Sequence, residues 1–151
     1  MTDYGEFLRA RRGILGLSQR ELAERSGVKQ PYIAAIERGR REASDAARRA
    51  LDAAVQIRPS VALAARKGAV LELFLHREVG APRVFGSVAR GDDTTASDID
   101  LLAEFTDAHD IVDLLELEDD LARVLTFRAD VVDSRSDTAV TARARAEAVP
   151  L

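Results

Sequence analysis

The sequence predicts two domains of different class, an all-α domain over residues 1–58 and an α/β (α+β) domain over residues 59–151 whose small mixed sheet is flanked by helices. Three observations carry this reading. Apolar residues recur at helical spacing through the first half, and short strand-like runs separated by polar loops enter only after Val79. Pro59 falls where the helical pattern would otherwise run on. The charge divides at the same place: residues 1–58 hold 12 Lys/Arg against 8 Asp/Glu, and the remainder holds 10 against 18. A basic half suits polyanions and an acidic half does not.

Each element has its own signal. Phe7, Leu8, Arg11, Ile14 and Leu15 form a helical stripe from about Asp3 to Leu15. Ser18 with Glu21 is a capping box that starts a second helix, in which Leu22 and Ala23 face inward and after which Gly27 supplies a turn. A third helix spans about Gln30 to Glu37, burying Ile33 and Ile36 and stopping at Gly39. A fourth spans about Ser44 to Gln56. The second domain opens with a helix from Ser60 to about Val79 whose apolar face is Leu63, Val70, Leu71, Phe74 and Leu75. Strands follow at Arg83–Phe85, Asp98–Phe105 and Arg128–Val132, with helices at Asp110–Leu125 and about Thr138–Glu147.

The chain has no Cys, which excludes disulfides and thiolate zinc sites. No apolar run approaches a membrane span, and the first residues lack the basic start and apolar stretch of a signal peptide, so a cytoplasmic location without membrane contact is expected.

The run Leu17-Ser18-Gln19-Arg20-Glu21-Leu22-Ala23-Glu24-Arg25-Ser26-Gly27-Val28, followed by Tyr32-Ile33-Ala34-Ala35-Ile36-Glu37-Arg38-Gly39, resembles the Xre/Cro-type helix-turn-helix family over roughly residues 4–56. A small residue and a glycine let two short helices meet at a steep angle, so that the second can enter a major groove. By that resemblance Gln19, Gln30 and Tyr32 are candidates for base or phosphate contact, while Arg38, Arg40 and Arg41 suit the DNA backbone. Lys29, placed with them at the DNA face, stands where the family has a Ser/Thr cap, and Pro31 lies in the first turn of the reading helix. The same resemblance implies that Arg12 pairs with Glu37 rather than with DNA.

The second constellation is Val84-Phe85-Gly86-Ser87-Val88-Ala89-Arg90-Gly91, then a polar loop, then Ser97-Asp98-Ile99-Asp100-Leu101-Leu102. Residues two apart on a strand point the same way, so Asp98 and Asp100 present two carboxylates on one face. Such a pair can hold Mg²⁺ together with substrate phosphates, and two ions would stabilise the attacking and leaving oxygens of an in-line displacement. Gly86 permits close approach of a triphosphate, Ser87 offers backbone N–H groups and a hydroxyl, and Arg90 can steady a phosphate. Asp130 is the expected third carboxylate. Asp133, on the opposite face of the same strand, is the weaker choice. His76 and His109 have no metal-ligand spacing and read as exposed or helix-end residues, and Asp92 and Asp93 read as a solvated loop.

These residues, with ten between the Gly-Ser pair and Asp-x-Asp, resemble the minimal nucleotidyltransferase (MNT) branch of the DNA polymerase β-like superfamily over about residues 68–151. The resemblance also covers Leu101-Leu102-Ala103-Glu104-Phe105, the acidic helix from Asp113, and the ending Ala148-Val149-Pro150-Leu151. It implies catalysis by Asp98, Asp100 and Asp130 with Mg²⁺ and ATP. Standalone MNT chains resemble the antitoxins of type VII-like HEPN/MNT toxin–antitoxin systems, which transfer AMP from ATP to a tyrosine of a HEPN ribonuclease toxin. The expected function is therefore a protein adenylyltransferase antitoxin that meets a HEPN toxin encoded nearby. Its helix-turn-helix would repress its own operon by binding operator DNA as a homodimer, or within a larger hetero-oligomer with the toxin. The alternatives are a repressor with a catalytically silent or nucleotide-sensing transferase domain, and an antibiotic-modifying nucleotidyltransferase, which usually carries an extra helical acceptor domain.

Overall fold

Helix α1 (Tyr4–Ile14) begins a computed structural model that describes residues 3–151. The chain divides into two units, the first ending at Ile57 and the second beginning at Arg58.

In the first unit, α1 is followed by α2 (Gln19–Ser26), α3 (Gln30–Glu37) and α4 (Asp45–Ala54). The capping box forms: Glu21 N–H donates to Ser18 Oγ at 3.1 Å, and Ser18 N–H donates to Glu21 Oε2 at 2.7 Å. Gly27 ends α2 in the left-handed region with φ 75°. Lys29 starts α3 without a side-chain cap, and Pro31 sits in its first turn. Beyond the end of α3, Gly39 is left-handed, and the Arg40 N–H reaches back to the Ala35 carbonyl at 2.9 Å, a glycine-based helix stop. Ser44 caps α4, which closes two residues before the predicted Gln56. Leu8, Leu22, Ile33, Ile36, Leu51, Ala54 and Val55 form the core, with Leu15 and Ala23 packed at its margin.

The second unit runs α5 (Pro59–His76), β1 (Arg83–Phe85), α6 (Gly86–Arg90), β2 (Ile99–Ala103), α7 (Ile111–Leu125), β3 (Ala129–Asp133), α8 (Ala139–Glu147) and β4 (Val149–Pro150). The sheet order is β3-β2-β1-β4, with β1 antiparallel to both neighbours and β2 parallel to β3. It is the small mixed sheet the sequence predicts. One face, with Val84, Ile99, Leu101, Ala103, Ala129 and Val131, packs on Leu63, Val70 and Phe74 of α5 and on Leu117, Leu121 and Leu125 of α7. The other face, with Phe85, Leu102 and Val132, packs on Ala144 of α8 and Ala148. β3 is an edge strand, and Glu118 of α7 accepts its Val131 N–H at 2.8 Å, which satisfies a backbone donor that β2 does not reach.

Several boundaries and burials differ from expectation. α5 starts at Pro59 itself, whose fixed φ suits a first helical turn, and it stops at His76, since Glu78 is left-handed. Leu75, expected on the apolar face, is 75% exposed, because Val70 and Phe74 already fill the row that meets α7. β2 is shorter than Asp98–Phe105, and Asp98 lies one residue before it. β3 is displaced by one residue, to Ala129–Asp133. β4 has no counterpart in the predicted strands. Asp93 is not solvated: it is 4% exposed, and its Oδ2 accepts the Ser60 N–H at 2.9 Å, capping α5 from a distant loop. His109 is half-buried. It joins the loop before α7 to the end of α5 through Nε2 and the Arg77 carbonyl, 2.7 Å apart.

Candidate functional site

Strand register gathers the second constellation at one end of the sheet. Phe85 stands opposite Asp100 on β1, and Asp130 is the parallel partner of Asp100 on β3. Strand alternation puts Asp100 and Asp130 on the α8 face, with Leu102 and Val132, and Asp133 on the α7 face. Gly86 follows Phe85 directly and turns the chain into α6 at φ 69°. It is pressed against the carboxylate: a Cβ there would overlap Asp100 Oδ2 and lie 3.2 Å from its Cγ. The glycine is required twice, for its backbone conformation and for this approach.

The electrostatics fit a cation site. Burial pushes the Asp100 carboxyl above the usual aspartate range, and the negative charges of Asp130 and Asp98 push it further, against a partial offset from Arg90. Asp130 is held by Arg128, whose Nε donates to Oδ1 at 3.0 Å. Arg90 bridges Asp92 at 3.3 Å and Glu147 of α8 at 3.2 Å. Among the described residues no three acidic or histidine side chains form a finished metal cage. Mg²⁺ does not demand one, because it binds through one or two carboxylates, water and substrate phosphates. The hard oxygen donors and their mutual repulsion at Asp100 suit such an ion. Glu147 and Arg128 escape sequence reasoning as neighbours of this site. Arg90 and Glu147 are 57 positions apart, and no local pattern links them.

The helix-turn-helix candidates separate into two groups. Gln19 and Gln30, the first residues of α2 and α3, belong to one network. Arg12 donates from Nε and Nη2 to the two oxygens of Glu37 at 2.7 and 2.9 Å, as the family resemblance implies. Gln19 Nε2 donates to Glu37 Oε2 at 2.9 Å, and Gln30 Nε2 donates to Gln19 Oε1 at 2.9 Å. Both glutamines are thereby pre-positioned at adjoining helix starts. Tyr32 is committed elsewhere, since its hydroxyl donates to the Glu42 carbonyl at 3.0 Å and accepts the Ser44 N–H at 2.9 Å, which ties α3 to the loop before α4. Lys29, Arg38, Arg40 and Arg41 are exposed, and the Arg41 guanidinium lies 5.6 Å from the Tyr32 ring centre.

Comparison with known proteins agrees with both halves. The family model described as "Helix-turn-helix" matches residues 8–59, and that described as "Polymerase beta, Nucleotidyltransferase" matches residues 71–148. "Protein adenylyltransferase MntA" of Thermococcus cleftensis is 39% identical over 70 residues, 46% of this chain and 68% of that protein. "Putative protein adenylyltransferase MJ1215" of Methanocaldococcus jannaschii is 37% identical over 65 residues, 43% of this chain and 76% of that protein. A solved structure described as a "putative minimal nucleotidyltransferase" superposes with TM-score 0.55 at 36% identity, covering 61% of this chain and 95% of the other.

Proposed function

The chain belongs to the polymerase beta nucleotidyltransferase family, and from that premise we propose that it transfers AMP from ATP to a hydroxyl of a partner protein and so acts as an antitoxin. The observation that carries the proposal is the register that sets Asp100 beside Asp130, with Gly86 against the Asp100 carboxylate.

In this reading Gly86 and Ser87 receive the triphosphate, because the missing side chain at Gly86 lets phosphate oxygens approach the backbone N–H groups and the Ser87 hydroxyl. Arg90 exchanges Asp92 and Glu147 for a phosphate oxygen. Asp98, Asp100 and Asp130 would hold Mg²⁺, which supplies charge neutralisation for the attacking and leaving oxygens when bound. The acceptor oxygen attacks the α-phosphorus, the bond to the β-phosphate bridging oxygen breaks, and pyrophosphate leaves. Asp130, released from Arg128, takes the acceptor proton. The acceptor is a tyrosine of a HEPN ribonuclease toxin encoded nearby. The names of the adenylyltransferase relatives support transfer to protein, and the helix-turn-helix match supports operator binding by Gln19, Gln30 and the arginines after α3.

ATP labelled at either the α- or the γ-phosphate tests the chemistry. With the purified partner and Mg²⁺, the α label is expected on the partner and the γ label in pyrophosphate. Neutralisation of the partner without α label would show inhibition by binding alone, the behaviour of a repressor with a silent transferase domain.

A further inference from the structure

The first two turns of α7 leave an apolar surface that nothing in the second unit covers. Ile111, Val112 and Leu115 are 65%, 55% and 54% exposed. At 100° per residue all three fall within one quadrant or so of the helix, away from Leu117, Leu121 and Leu125, which face the core. Ile111 continues this surface into a cavity of about 240 Å³ whose other walls include Phe105, His109, Leu114 and Arg135. An exposed, continuous apolar surface joined to a cavity is the kind of feature that marks an interaction site on a soluble protein.

Its surroundings specify the partner. Residues 104–120 hold eight Asp/Glu and no Lys or Arg. Of these, Asp110 and Asp113 cap the helix, Asp107 and Glu116 pair with Arg135 and Arg77, and Asp119 is exposed on the helix one turn beyond Leu115. The arginines that reach this acidic segment are Arg77, Arg123 and Arg135, each already engaged by carboxylates. Eight carboxylates against three arginines leave the segment acidic, and a second copy of α7 would bring that same charge against itself. The basic first unit offers no match either, since the large exposed hydrophobics among the described residues all lie at or beyond Val61.

We propose that this surface docks an amphipathic helix of a different protein, with apolar residues at i, i+3 or i+4 spacing and Lys/Arg on its flanks. The place is remote from the catalytic end. α7 packs on the face carrying Asp133, whereas Asp100 and Asp130 lie on the α8 face. The start of α7 adjoins Phe105, beyond the far end of β2, so roughly 15 Å of strand separates it from Asp100. A partner held there leaves the nucleotide site open, and docking does not depend on transfer chemistry.

The probe is a synthetic, fluorescently labelled helical peptide of about eighteen residues with leucine at i, i+3, i+4 and i+7 and lysine elsewhere, titrated into the full chain. It should bind, and replacing its leucines by serine should weaken binding about tenfold or more. Leu115→Glu and Val112→Glu should each weaken it by a similar factor with an unchanged melting curve, because both side chains already face solvent. Asp100→Asn should bind the peptide like the parent chain, so loss of catalysis and loss of docking are separable. Equal binding by Leu115→Glu, or equal binding of the serine peptide, would overturn the proposal. Sedimentation showing self-association of the parent chain that Leu115→Glu abolishes would do so as well, by assigning the surface to a second copy.

Discussion

A methyl group at Gly86 tests the link between backbone and chemistry at the candidate active site. Gly86→Ala places an L side chain at φ 69°, where left-handed strain costs about 1–2 kcal/mol. The new Cβ also overlaps Asp100 Oδ2. That oxygen ends a side chain with rotational freedom, so the carboxylate moves aside and the sheet stays intact. A displacement near 1 Å of a catalytic group costs on the order of a hundredfold in rate. Gly91→Ala is the control: Gly91 has φ 78°, and a Cβ there would meet nothing within 4 Å, leaving strain without a clash. Both variants should lose a similar stability, roughly 4–8 °C of melting temperature per kcal/mol for a unit of this size. Only Gly86→Ala should also lose AMP transfer. Thermal unfolding followed by circular dichroism, with pyrophosphate release for activity, decides the matter. Full activity in Gly86→Ala at the same loss of stability would refute the reasoning.

Other substitutions test the remaining supports. Glu37→Ala strands the Arg12 guanidinium and unties Gln19, so the first unit should lose about 3 kcal/mol in denaturant unfolding and the chain should lose specific DNA retention in a gel-shift assay. Leu121→Ala opens a void beneath the sheet where α7 meets the core and should cost about 2–5 kcal/mol in the unfolding of the second unit. Asp133 is held below the usual aspartate range: burial acts to raise it, but Arg135 and the backbone N–H groups of Arg135 and Phe105 outweigh burial. A depressed folded pKa stabilises above the unfolded value and is lost as pH falls through the folded one. Asp133→Asn should therefore lower the melting temperature at neutral pH, and the difference should close in acid.

Short-range physics made much of the fold legible. The Ser18–Glu21 capping box and the left-handed Gly27 and Gly39 each act within a few residues, so the sequence displays them whole. Strand parity likewise places Asp130 and Asp133 on opposite faces from the sequence alone. What escaped depends on contacts between distant residues. Asp93 reads as a loop carboxylate, because its partner, the Ser60 N–H, lies 33 positions away. The Tyr32 hydroxyl is taken by a loop whose path no motif announces. β4 has only two residues and exists because β1 presents an edge to it. At the candidate site, Glu147 enters through a pairing with Arg90 across 57 positions that neither spacing nor period encodes, whereas Arg128 stands two residues from Asp130, a pairing that strand parity allows.

Mass spectrometry of an intact HEPN-family protein, the partner proposed above, incubated with this chain, ATP and Mg²⁺, tests the central claim most directly. The expected result is a partner heavier by one or more AMP groups on tyrosine, with an equal release of pyrophosphate, and an unmodified partner when Asp100→Asn replaces the parent chain. A partner that forms a stable complex with the parent chain, stays unmodified in the presence of bound ATP, and is neutralised equally by Asp100→Asn would contradict it.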